Sequence, residues 1–97
     1  MAGSTKITAS GVLGTADKPL KVYSVVIAST SLGASSAQLR NGSAATDSLV
    51  DVIGAEADGV ATKSYGNHGK YFPAGLYVNL GLNVLHVDID WEQITIS

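Results

Sequence analysis

Apolar residues along this chain recur at every second position or in short runs, and almost never at the spacing of an amphipathic helix. The runs are rich in Val, Ile, Leu and Tyr and are bounded by Gly, Ser, Asn and Asp, the pattern of β-strands in series. It predicts strands over 5–13, 20–29, 36–40, 48–54, 60–65, 76–80 and 84–91, with the terminal "EQITIS" either adding an edge or trailing away. Asn41-Gly42 and Asp58-Gly59 are turn pairs, since their residues tolerate positive φ. "GNHG" and "PAG" punctuate the approach to 76–80. A helix competes only in "SAATDSLVDVIGAEADG", whose β-branched residues and two glycines favour strand followed by loop. Short strands at nearly even spacing predict an all-β fold, an antiparallel β-sandwich, with 1–97 as one domain.

Two strands carry more detail. On 84–91, Leu85, Val87, Ile89 and Trp91 are expected on a buried face, and Val84, His86, Asp88 and Asp90 on a wet or interfacial one. On 20–29, Tyr23, Val25 and Ile27 share one face while Val22 and Val26 take the other. A strand apolar on both sides needs cover on both. That cover is either a neighbouring subunit or a loop of the same chain. The first makes Val22 and Val26 the expected self-association interface, with His86, Asp88 and Asp90 as its polar contact.

Composition sharpens this expectation. Charged residues are 14% of the chain, against about 25% in a typical soluble domain. Sparse charge with abundant aliphatics points to surface hidden in an assembly. The six basic residues are scattered, so no nucleic-acid partner is expected. No apolar run is long enough to span a membrane, and "MAGSTKITAS" does not read as a secretory signal. With no cysteine there is neither a disulfide framework nor a thiolate metal site.

His86, Asp88 and Asp90 invite a metal reading. Same-face neighbours on a strand stand roughly 6.6 Å apart, so two could meet one ion but three in a row span too far. His68, in "GNHG", is the one further histidine. A solvated strand face explains the spacing more simply, and no metal or cofactor is expected; a cation on a symmetry axis is the alternative. The serines lack a Gly-x-Ser-x-Gly elbow, and "GNHGK" lacks the spacing of a phosphate loop. Asp47, Asp51, Glu56 and Asp58 form no calcium-loop sequence. An enzyme is therefore not expected. Tyr65, Tyr71, Phe72 and Tyr77, with Trp91, could form a sugar-stacking platform, although most suit a core or an interface.

The stretches "LKVYSVVIASTSLGASSAQLRNG" and "YFPAGLYVNLGLNVLHVDIDWE" resemble a recurrent class of small tailed-phage virion proteins. The likeness rests on the order of Val22–Ile27, Leu39–Gly42, Phe72–Val78 and Val84–Trp91, none of which is a catalytic motif. It implies a sandwich or jelly roll of the head-decoration type, set on the capsid surface of a virion and often trimeric. Its partners would be its own copies and the major capsid protein. On that reading, residues 1–5 are a flexible arm, and Thr5, Lys6 and Ile7 contact the shell as an added strand. The competing expectation is a glycan-binding module of a tail or receptor-binding fibre.

Overall fold

The structure is a computed structural model that describes residues 2–94. Among them lie nine strands: β1 (Ala2–Ile7), β2 (Gly11–Leu13), β3 (Leu20–Ser29), β4 (Ser35–Asn41), β5 (Ser48–Ala55), β6 (Val60–Ser64), β7 (Lys70–Phe72), β8 (Leu76–Leu80) and β9 (Val84–Gln93). The pairing is nested and antiparallel throughout: β1 with β9, β2 with β8, β3 with β6, β4 with β5. The chain is thus one long hairpin whose four rungs fold over each other. Wrapping it pairs β3 with β9 and β4 with β8, giving sheets ordered β1-β9-β3-β6 and β2-β8-β4-β5. That is the jelly-roll arrangement of the antiparallel sandwich. Short β7 continues the β6 edge along the first half of β3, and the "GNHG" loop lies between these two pieces.

The sequence pattern located most strands, but the segment 5–13 is two strands rather than one. Thr8–Ser10 is a corner that carries the chain from one sheet to the other, where the Ser10 hydroxyl accepts the Leu80 N–H. Residues 2–5 differ from the expected loose arm, since Ala2 to Ile7 pair in continuous register with Glu92 to Val87. Glu92 and Gln93 extend β9, while residue 1 and the last three residues lie outside the described residues.

Leu20, Val22, Val25, Ile27, Val87 and Ile89 from the first sheet meet Leu13, Ala37, Leu39, Ile53, Leu76 and Val78 from the second. Each of these valines, leucines and isoleucines, fully buried, stabilises the fold by roughly 1.5–3 kcal/mol, and the small Ala37 by less. Phe72, on β7, fills the same core. At one end of the sandwich the buried Ser29 and Ser35 hydroxyls lie 2.6 Å apart, and Ser29 donates its own proton to the Ala55 carbonyl at 3.2 Å. At the other end Gly75, at φ +99°, brings its carbonyl to the Gly42 N–H. A Cβ there would adopt a strained backbone and press on Asp17 N at 3.3 Å.

Two register shifts overturn the expected strand faces. On β3, Val22 pairs with Trp91 but Ser24 with Asp90, so Tyr23 is an extra residue on that strand. A bulge of this kind reverses the alternation before it. Val22 therefore joins Val25 and Ile27 inside, fully buried, and cannot be a self-association contact. At the far end, Ala28 pairs with His86 but Ser29 with Val84, which leaves Leu85 as the extra residue on β9. Leu85 turns out to solvent at 56% exposure, and Val84 turns in against the core.

Candidate functional site

Residues paired in register share a face, so the outer surface of the first sheet can be read row by row. One row runs Lys6, Asp88, Val26, Thr62; the next runs Ser4, Asp90, Ser24, Ser64; a third runs His86, Ala28, Val60. The expected contacts Val26, His86, Asp88 and Asp90 do lie together here, without Val22, on a face that is polar and charged. Asp90 accepts the Ser24 hydroxyl at 3.0 Å. His86 Nδ1, shielded from water, lies 3.3 Å from Asp88 Oδ2 without hydrogen-bond alignment, and the two form an ion pair only when the imidazole is protonated. The three side chains stand in file, as their spacing predicts. Among the described residues no three His, Asp or Glu side chains gather around one point. His68, in the loop beside Tyr23, lies about five residues along β3 from the His86 row, or roughly 17 Å at strand rise. Of the residues expected to touch a shell, Lys6 faces out, whereas Thr5 accepts the Trp91 indole N–H at 3.0 Å and Ile7 packs on the core.

The chemically densest cluster sits on the seam between the sheets, where β5 and β6 are the neighbouring edges. Asp51 Oδ1 receives Lys63 Nζ at 2.7 Å and the Val52 N–H at 2.8 Å, while Oδ2 receives the Tyr65 hydroxyl at 2.7 Å. Burial alone would raise the Asp51 pKa, but these three donors outweigh it and hold the carboxyl below its ordinary 3.8. Burial, reinforced by the Asp51 carboxylate, pushes the Tyr65 hydroxyl well above its ordinary value. Lys70 Nζ stands 5.9 Å from the Tyr65 ring centroid and adds a weak cation–π contact. With all its donors supplied from within, this cluster acts as a latch between sheets.

The aromatic residues do not share a platform. Phe72 is in the core, and Tyr65 and Trp91 are committed to Asp51 and Thr5. Tyr71 is on the first sheet and Tyr77 on the second. Tyr23 donates to Glu92 at 2.8 Å, and that bond raises its pKa.

The outer face of the second sheet contrasts with that of the first. Its rows are Val12, Tyr77, Arg40, Leu49 and then Asn79, Gln38, Val52. Arg40 is the single charge, and its guanidinium is occupied by the Asp47 carbonyl and the Gln38 side chain, both at 2.8 Å. Val12, Leu49 and Val52 stand about half exposed around it. The strand edges, by contrast, are protected from pairing with another chain: β1 by Lys6, β2 by its three residues, β5 by a bulge between its Leu39 and Arg40 partners, β6 by inward Lys63.

The nested hairpin brings the turns 8–10, 30–34, 56–59 and 81–83 to one end of a molecule 46 Å long. Thr30 links three of them, donating to the Asn83 carbonyl and accepting from the Asp58 N–H, each at 2.9 Å. Asn83 amide also donates to the Ala34 carbonyl at 3.2 Å. On these pinned turns Leu32 is 86% and Leu82 83% exposed, beside Val60 at 67% and the bulged Leu85. Isolated exposed leucines are ordinary; four large aliphatics at one tip are not. Sequence reasoning missed this tip, although "TSLGAS" and "LGLNV" each place a leucine inside a turn sequence where no core position exists for it.

Comparisons of the chain with protein families, with curated proteins and with solved structures find no match. Among the described residues there is no cavity of ligand size.

Proposed function

We propose that the protein is a structural subunit of a phage virion, a capsid decoration protein. It assembles with its own copies as a trimer and fastens to the head surface built by the major capsid protein. The observation that carries this reading is the outer face of the second sheet, where Val12, Leu49 and Val52 surround one internally satisfied charge. A face with so little charge packs beside its copies around a three-fold axis without repulsion, whereas the first sheet offers mixed carboxylates, an imidazole and a lysine. Self-association thus moves from the expected Val22/Val26 surface to the opposite sheet. Jelly rolls serve viral shells and lectins alike, so the fold by itself does not choose between them. The dispersal of the aromatics removes the argument for the glycan-binding alternative.

The face measures roughly 19 by 23 Å from strand spacing and rise, about half the 800 Å² per partner of a standard interface. Association in solution is therefore weak, and copies on a lattice gain their hold through avidity. Sedimentation equilibrium tests this: average mass rises with concentration toward a trimer, and L49S/V52S holds it at the monomer. A monomer mass at every concentration for the unsubstituted chain rejects self-association.

A further inference from the structure

We infer that the tip formed by Leu32, Leu82, Leu85 and Val60 docks onto an apolar protein surface with a basic rim. This deepens the decoration reading and rests on it: the tip is the shell-facing end, and the second sheet is the copy-facing side.

Three observations lead there. First, the exposed aliphatics are held by backbone hydrogen bonds between turns, so a partner meets a preformed surface and little ordering entropy opposes binding. Second, both charges in the four turns are acidic, Glu56 and Asp58, and none of these turns contains Lys or Arg. Asp58 is tied through its N–H to Thr30, two residues from Leu32, which puts a carboxylate-bearing turn beside the apolar cluster. Third, the same charges disfavour the other occupants. Tip-to-tip stacking of two copies sets four carboxylates against each other. A membrane surface carries anionic headgroups and selects basic, not acidic, neighbours for its apolar anchors. An apolar patch rimmed by Lys or Arg complements the tip in both respects.

The test uses the full chain and two double variants, L32S/L82S and E56Q/D58N; Asn is chosen at 58 because that residue sits at φ 57°. The probe is purified heads of the phage whose genome encodes the chain, stripped of this protein, in a cosedimentation assay. The expected result is binding by the unsubstituted chain, weakened about tenfold or more by L32S/L82S. E56Q/D58N binds more weakly at low salt and matches the unsubstituted chain at high salt. Melting temperature and concentration-dependent mass stay unchanged in both variants. Equal head binding by L32S/L82S overturns the tip assignment and leaves the decoration reading standing. No binding by the unsubstituted chain overturns the decoration reading instead. The tip is then judged on hexylamine resin, a plain apolar and cationic surface: earlier elution of L32S/L82S supports it, and coelution overturns it. Leucine-dependent flotation with vesicles of phosphatidylcholine and phosphatidylglycerol overturns it in favour of a membrane.

Discussion

Asp51 ties the two sheets together by two side-chain bonds of equal length and unequal worth. Lys63 Nζ and the Tyr65 hydroxyl both approach at 2.7 Å. The Lys63 side chain is 43% exposed, so water and salt screen the pair and about 0.5 kcal/mol remains. The Tyr65 hydroxyl is half-buried and donates to an ionised acceptor, which is worth about 1.5 kcal/mol. For a domain of this size each kcal/mol moves Tm by about 4–8 °C. Tyr65→Phe is thus expected to lower Tm by about 6–12 °C, and Lys63→Met by no more than about 4 °C. Thermal melts followed by circular dichroism, at one fixed protein concentration because association shifts Tm, give the comparison. The sign of the pH dependence follows from the two shifts. The lowered Asp51 pKa contributes stability above the ordinary 3.8, lost as pH falls through the still lower native value. The raised Tyr65 pKa contributes below the ordinary 10.0, lost as pH rises toward the native value. The gap between the unsubstituted chain and Asp51→Ala is accordingly flat from about pH 5 to 9 and narrows outside that range. Lys63→Met costing as much as Tyr65→Phe, or a gap that closes near neutrality, refutes the assignment of the latch to the tyrosine.

The bulges give further tests by urea denaturation. Val22→Ala opens a cavity in the core and costs about 2 kcal/mol, whereas Val26→Ser on the outer face changes stability by no more than about 0.5 kcal/mol. Equal, small losses at the two positions restore simple alternation on β3, which sets Val22 and Val26 on one face. On β9, Ile89→Ala costs roughly 2–5 kcal/mol and Leu85→Ser is neutral within about 0.5 kcal/mol; a large loss at Leu85 places it in the core after all. Gly75→Ala forces a side chain into the left-handed region against Asp17 and costs more than about 1 kcal/mol, with an unchanged midpoint arguing that the loop gives way freely.

The class of fold was legible in the residues because side-chain alternation and turn chemistry are local. The strand at 20–29 needed no more than its own ten residues to be recognised, and Asp58-Gly59 announced its turn, with Asp58 at φ 57°. The file of His86, Asp88 and Asp90 was equally local, since strand rise by itself keeps three such side chains apart. Which sheet a strand joins is not local. The corner at Thr8–Ser10, which splits one apparent strand between two sheets, is decided by partners some seventy residues away.

Face assignment failed at Val22 and Leu85 for one reason. Alternation counts residues along a single strand, and a bulge is defined by two residues facing one on the partner strand. Tyr23 looks like any strand residue until Trp91 and Asp90 are seen to pair with Val22 and Ser24. Local alternation and turn chemistry thus suffice to specify an antiparallel β-sandwich with sparse charge. Which aliphatics lie inside, and which stand at the tip or on the second sheet, emerges from inter-strand register, which no segment carries alone.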